Sequence, residues 1–125
     1  MSNVNETVER YIAAWNERDP DKRRAIIAKA WTEDASYIDP ARSGKGHDGI
    51  SAMIEGVQAH FPGYSFRLKK GADAHNDCVR FQWEAGGTKD APLHYVGTDF
   101  AIVAADGRLK SVTGFTDEAP PPPSK

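Results

Sequence analysis

Apolar residues recur at steps of three and four from Val4 to Trp15, at Val4, Val8, Tyr11, Ile12 and Trp15, which places them on one face of a helix. The pattern predicts that this helix ends near Asp19, and that Asp19 caps a second helix with Pro20 in its first turn. Ile26, Ile27, Ala30 and Trp31 supply the buried stripe of that second helix, and Thr32 to Asp34 its exit. The period then shortens. Ala35 to Asp39 alternates and carries β-favouring Tyr37 and Ile38, so it reads as a short strand stopped by Pro40. A loop is expected from Ala41 to Gly49. Helical spacing returns at Ile50, Met53, Ile54, Val57 and Phe61, and Pro62-Gly63 terminates it.

Beyond Gly63 the alternation has period two. Tyr64, Phe66 and Leu68 alternate with polar residues, as do Val79, Phe81 and Trp83, and both stretches read as antiparallel strands. Leu93 to Ala104 is a longer β-rich run, Ala105-Asp106-Gly107 a hairpin turn, and Leu109 to Thr116 the returning strand. The expected order is ααβαββββ, an α+β domain over residues 1–119. Four prolines at positions 120 to 123 end the sheet and open a proline-rich tail over 120–125. A long sheet, apolar on one face and covered by only three helices, has to curl to bury that face. The expected result is a cone-shaped, barrel-like antiparallel or mixed sheet wrapped around the helices and enclosing a pocket. Its other face suits a second copy of the chain, so a homodimer through the sheet is expected.

Composition narrows the function classes. The 125 residues are 39% hydrophobic and 27% charged, with a formal net charge of -2, so nothing favours a polyanionic partner and nucleic acid is not expected. The single Cys78 precludes an internal disulfide, and the polar start lacks a secretory pattern. A cytoplasmic location is the expectation. No apolar run approaches the ~20 residues needed to span a bilayer, and no C-x-x-C, H-E-x-x-H, P-loop or G-x-G-x-x-G pattern occurs. His47, His60, His75 and His94 are scattered towards surface or edge positions, so neither a metal nor a cofactor is expected. The runs Lys22-Arg23-Arg24 and Lys69-Lys70 are flanked by acids and read as solvated faces.

Three polar residues fall where these elements place an interior: Tyr11 on the first helix's apolar stripe, Asp39 at the end of the first strand, and Asp99 within the long strand. A tyrosine there serves equally as a core residue, and an aspartate before proline as a strand-ending cap. Asp99 is harder to treat as structural, because aspartate is depleted in strands and its burial is costly unless it is paired or protonated. Together they suit proton transfer beside a carbonyl. Asp39 would take the proton α to the carbonyl, while Tyr11 and a protonated Asp99 would hydrogen-bond the developing oxyanion. Apolar surroundings would hold Asp99 neutral. Trp15, Trp31, Ile54, Phe81 and Trp83 are candidate pocket walls. This chemistry calls on no cofactor and on a small hydrophobic ligand.

At these residues the chain resembles the nuclear transport factor 2-like superfamily, and within it the ketosteroid isomerases and SnoaL-like polyketide cyclases. The likeness covers nearly the whole chain. Tyr11-Ile-Ala-Ala-Trp-Asn16 with Asp19 is similar to the first helix of a ketosteroid isomerase, and Tyr11 matches its catalytic tyrosine. Trp31 to Pro40 resembles the segment carrying the general base, matched by Asp39, and Asp99-Phe100 before the Ala105-Asp106-Gly107 turn resembles the strand carrying the protonated aspartate. The resemblance therefore implies an isomerase-like or cyclase-like enzyme with those three residues. Ile54 departs from the pattern, standing where isomerases often have a tyrosine supporting the oxyanion hole. Limonene epoxide hydrolases match less well, since Arg80 and Gln82 stand where they carry an Arg-x-Asp pair. Because the superfamily also contains non-catalytic members, a ligand-binding or dimerising scaffold is the alternative.

Overall fold

The computed structural model describes residues 4–87 and 94–119; Leu93 and the proline-rich tail lie outside the described residues. Within them the chain forms α1 (Val4–Asn16), α2 (Pro20–Ala30), β1 (Trp31–Ile38), β2 (Ser43–Lys45), α3 (Gly46–His60), β3 (Ser65–His75), β4 (Cys78–Gly86), β5 (His94–Val103) and β6 (Leu109–Glu118). The α+β class is the expected one. β2 is an addition, formed where the sequence suggested only a loop: Ser43 to Lys45 turns back to pair antiparallel with Ser36 to Ile38.

In α1 the stripe holds, with Val8, Tyr11, Ile12 and Trp15 buried. The Asn16 side chain fastens the end of α1 to β3, donating to the Phe66 carbonyl at 2.8 Å and accepting from the Phe66 amide at 2.7 Å. Asp19 caps α2 by accepting from the amides of Asp21 and Lys22, which leaves fewer unpaired donors in the first turn.

Two expectations about α2 are corrected. The helix stops at Ala30, and Trp31 is the first residue of β1, extended at φ -124° and ψ 150°. Pairing of Trp31 with Leu109 and of residues 36–38 with 111–113 draws the whole segment into the sheet, with a register shift accommodating the polar residues 32–34. This is a tertiary override of the local period. The second correction concerns Arg23, which is not on a solvated face but only 1% exposed. Its guanidinium donates to Ser51 Oγ (3.3 Å), the Glu17 carbonyl (3.1 Å), Gln58 Oε1 (3.1 Å) and Glu55 Oε1 (3.0 Å). A buried charge persists when its donors are met this fully, and these bonds tie the end of α1 to α2 and α3.

The six strands form one sheet in the order β2-β1-β6-β5-β4-β3. β1 and β6 are parallel and every other neighbouring pair is antiparallel. The sheet stays open, with β2 and β3 at its edges, and its curvature accompanies register shifts within β3–β4, β5–β6 and β1–β6. The predicted turn at Ala105-Asp106-Gly107 is present, with Gly107 at φ 88°, a left-handed conformation that glycine adopts without strain. Among the described residues no helix is long and apolar enough to cross a membrane.

Candidate active site

The concave side of the sheet and the helices enclose a cavity of about 130 Å³ lined chiefly by aromatic side chains. That is close to the volume of an engineered cavity able to hold benzene, roughly 150 Å³. Alternation along β5 turns Asp99 inward, where it is 2% exposed. The Tyr11 hydroxyl donates to Asp99 Oδ2 at 2.5 Å, and the Trp83 indole N–H donates to Asp99 Oδ1 at 2.9 Å. Burial pushes the Asp99 carboxyl up to about 6; the bonds from Tyr11 and Trp83 pull the other way, and the charge of Asp39 adds to the rise. Burial beside Asp99 also raises the Tyr11 hydroxyl well above its ordinary value, so Tyr11 stays a neutral donor.

The direction of the Asp99 shift is the one the sequence suggested, but its size alters the role. At pH 7 the carboxyl of the unliganded protein is mostly ionised and accepts hydrogen bonds; it becomes a donor below about pH 6. A ligand that excluded water from the cavity would raise it further. The unfolded carboxyl titrates near 3.9 and the folded one is raised, so the stability that Asp99 contributes is fully present below about pH 4 and lost as pH rises through 6. A shift of about two units corresponds to roughly 3 kcal/mol. Asp99→Asn is therefore expected to gain stability relative to the native chain between pH 4 and 8. Urea denaturation at a series of pH values checks this, and parallel profiles would contradict it.

Asp39 lies just past β1, half-buried at the cavity wall. Its Oδ1 accepts from the amides of Ala41 and Arg42, both at 2.8 Å, and its own amide donates to the Arg42 carbonyl at 2.8 Å. Its Oδ2 accepts from the Tyr37 hydroxyl at 2.7 Å. The 39–42 turn thus fixes the carboxylate's orientation. Tyr37, two residues earlier on the same strand face, is held neutral because burial and the nearby carboxylates raise its titration.

Two glycines create the room between these groups. Asp99 pairs with Gly114 across β5–β6. A Cβ at Gly114 would lie 2.9 Å from Asp99 Oδ1, 3.1 Å from the Tyr37 hydroxyl and 3.3 Å from Asp39 Cβ. Both acids and Tyr37 therefore converge on the space that this missing side chain leaves. Gly97 is paired with Trp83, and a Cβ there would lie 2.1 Å from Trp83 Cζ2 and 2.5 Å from the Phe115 carbonyl oxygen. The indole lies over this bare backbone, which sets its N–H against Asp99.

The structure brings Tyr11, Asp39 and Asp99 to one cavity, with Trp15 and Trp83 also on its wall. It does not bring Trp31, Ile54 or Phe81 there. Trp31 and Ile54 are fully buried and Phe81 is 2% exposed; they belong to the core behind the wall, where Trp31 and Phe81 pack on the Tyr11 ring at centroid distances of 5.1 and 5.3 Å. Trp31 and Phe81 face inward from their strands, but the Tyr11 ring of α1 stands against them, and Ile54 lies on the fully buried stripe of α3. Sequence reasoning did not single out Tyr37, Arg42, Phe61 or Tyr95, all of which line the cavity. Tyr37 had a signal, the i, i+2 spacing to Asp39; Arg42 and the others had none. Among the described residues no group of three or more His, Cys, Asp or Glu is placed to hold a metal ion.

The model of the SnoaL-like domain matches residues 8–112, a span containing Tyr11, Asp39 and Asp99. The chain belongs to the SnoaL-like family. Its fold is that of the nuclear transport factor 2-like superfamily. A solved structure from Agrobacterium tumefaciens, called a "putative isomerase of the SnoaL-like family", is 39% identical with a TM-score of 0.84, over 90% of this chain and 96% of that one. A "putative SnoaL-like polyketide cyclase" from Jannaschia sp. shares 18% identity and a TM-score of 0.70, over 94% and 90% of the two chains. A protein from Exiguobacterium sp. with a nuclear transport factor 2-like fold shares 18% identity and a TM-score of 0.73, over 90% and 99%; at that identity the last two speak to the fold alone. No curated protein matches the chain. In this SnoaL-like domain the three residues that resembled an isomerase site, Tyr11, Asp39 and Asp99, all border the cavity.

Proposed function

We propose that this SnoaL-like domain is an enzyme that isomerises or cyclises a small hydrophobic carbonyl compound by proton transfer, without a cofactor. The observation that carries this reading is the convergence of two carboxyls, each bonded to a tyrosine hydroxyl, on the space beside Gly114. Asp39 acts as the base. The C–H bond α to the carbonyl breaks, its proton goes to Asp39 Oδ2, and its electron pair passes into the new C=C bond as the carbonyl oxygen becomes an enolate oxyanion. When Asp99 is protonated it donates to the Tyr11 oxygen, which frees the Tyr11 proton for that oxyanion. Return of the proton from Asp39 to a different carbon completes an isomerisation; in a cyclisation the enolate carbon bonds to a second carbonyl carbon, the first C=O re-forms, and the second carbonyl's oxygen, now an alkoxide, takes the proton back from Asp39.

A specific observation favours a second reading, a non-catalytic ligand-binding scaffold. Asp39 Oδ1 is fully occupied as the cap of the 39–42 turn, as a purely structural aspartate would be. The two readings separate on the affinity for a phenol that mimics the enolate. The proton-transfer site binds the phenol and Asp99 with one shared proton, so affinity is expected to be highest between the Asp99 value of about 6 and the phenol's own pKa. Fluorescence titration across pH reads this, and a flat profile favours the scaffold.

The same proposal includes a homodimer through the outer sheet face. Ile38 and Phe100 are 55% and 40% exposed and both pair with Thr113 of β6, so they flank Thr113 from either side on the face turned away from Asp99. Light scattering after size exclusion is expected to give twice the chain mass for the native protein and a monomer for Phe100→Lys. A native monomer would overturn this assembly.

A further inference from the structure

The cavity has an electrostatic asymmetry that the proton-transfer scheme does not use. Among the described residues lining it, the charged ones are Asp39, Asp99 and Arg42, so Arg42 is the one cation. Its backbone is committed to the turn, since its amide donates to Asp39 Oδ1 and its carbonyl accepts from the Asp39 amide. Among the described residues its guanidinium donates to no side-chain or backbone acceptor. No described carboxylate lies within ion-pair distance of it, whereas Arg23, Arg24, Arg67, Arg80 and Arg108 each have an acidic partner. Instead it lies over the Phe61 ring, 5.9 Å from the centroid. Stacking on an aromatic face leaves the planar N–H fork at the guanidinium's edge available to an oxyanion.

Phe61 belongs to a cluster that includes Tyr64 and Tyr95, with ring centroids 5.1 and 5.5 Å away, and all three line the cavity. This end of the cavity is thus aromatic and bears a positive charge, while the end formed by Tyr11, Trp83 and Asp99 is buried and carries a negative one above about pH 6. An anionic substituent is repelled at the Asp99 end and attracted at the Arg42 end. A neutral carbonyl, by contrast, meets the hydroxyl of Tyr11.

We infer that Arg42 is a specificity-determining anion anchor, and that the preferred ligand is a small aromatic or alicyclic carbonyl compound bearing a carboxylate remote from the reacting carbonyl. The carboxylate accepts from the Arg42 guanidinium, the ring lies among the aromatic side chains, and the reacting oxygen faces Tyr11. This rests on the proposed proton-transfer site for the orientation of the carbonyl end, and it adds the substrate class.

A matched pair of phenols tests it: 3-(4-hydroxyphenyl)propionate and its primary amide differ in charge and little in size. Trp15 and Trp83 line the cavity, so their fluorescence reports occupancy. At low ionic strength the native protein is expected to bind the acid about 10-fold more tightly than the amide, the order of a charge-assisted bidentate contact at a partly exposed site. Arg42→Met keeps an apolar chain on Phe61 and the turn's backbone bonds. In it the ratio is expected to fall to about 1 through loss of acid affinity alone, and Arg42→Lys should retain part of the preference. Equal native affinities for acid and amide, or a preference that survives in Arg42→Met, would overturn the anchor while leaving the cavity reading intact. Failure of both phenols to bind the native protein would overturn the cavity reading itself, and the anchor with it.

Discussion

Asp39→Asn is expected to lower kcat for the proton transfer by about 10²–10⁴-fold, the usual contribution of a positioned general base, with affinity for a phenol ligand changed by less than about 3-fold. The separation follows from what the amide keeps. Its oxygen still accepts from the amides of Ala41 and Arg42, so the 39–42 turn is preserved. Its nitrogen takes the place of Oδ2, which accepts from Tyr37, and has no lone pair for a substrate proton. Single-turnover kinetics beside phenol titration checks the split. A variant with native kcat would remove Asp39 from the chemistry and leave it as a cap.

Tyr11→Phe is expected to act at the other end of the same reaction. Loss of one oxyanion donor lowers kcat by about 10²–10³-fold. It also strips Asp99 Oδ2 of its bond, and because that bond holds the carboxyl down against burial, Asp99 in the variant is expected to titrate above 6. The lower limb of the phenol-affinity profile should therefore move to higher pH than in the native protein, a shift that loss of ring packing alone would not produce. The ring itself remains, packed on Trp31 and Phe81. Unchanged kcat together with an unshifted profile would contradict the role given to Tyr11.

Much of the fold was legible because the periods of the chain are unambiguous where burial is one-sided. The α1 stripe, the Asp19 cap and the turn at Gly107 follow from local chemistry, and each is found in place. What local pattern cannot encode is pairing at long range. Trp31 continues the helical spacing of Ile27 and Ala30, yet parallel pairing with β6 draws it into a strand. The same limit hid the role of Arg23, whose acceptors on α3 lie 28 to 35 residues away in sequence.

The acids of the site were visible as polar residues at interior positions, and their convergence is what the curved sheet adds. The two glycines that make space between them were not visible, since a glycine in a strand shows its purpose only when the opposing side chain is known. Tyr37 could be found from its spacing to Asp39. Arg42 lay in a segment read as plain loop, and only the cavity singles it out.

The most direct measurement is ultraviolet-monitored isomerisation of a β,γ-unsaturated cyclic ketone by the native protein, with the phenol present as a competitor. The proton-transfer account predicts saturable turnover to the conjugated ketone, inhibited by the phenol with the affinity found by fluorescence. Binding of both ketone and phenol in the cavity without any turnover would contradict that account and leave a pocket that binds and does not catalyse.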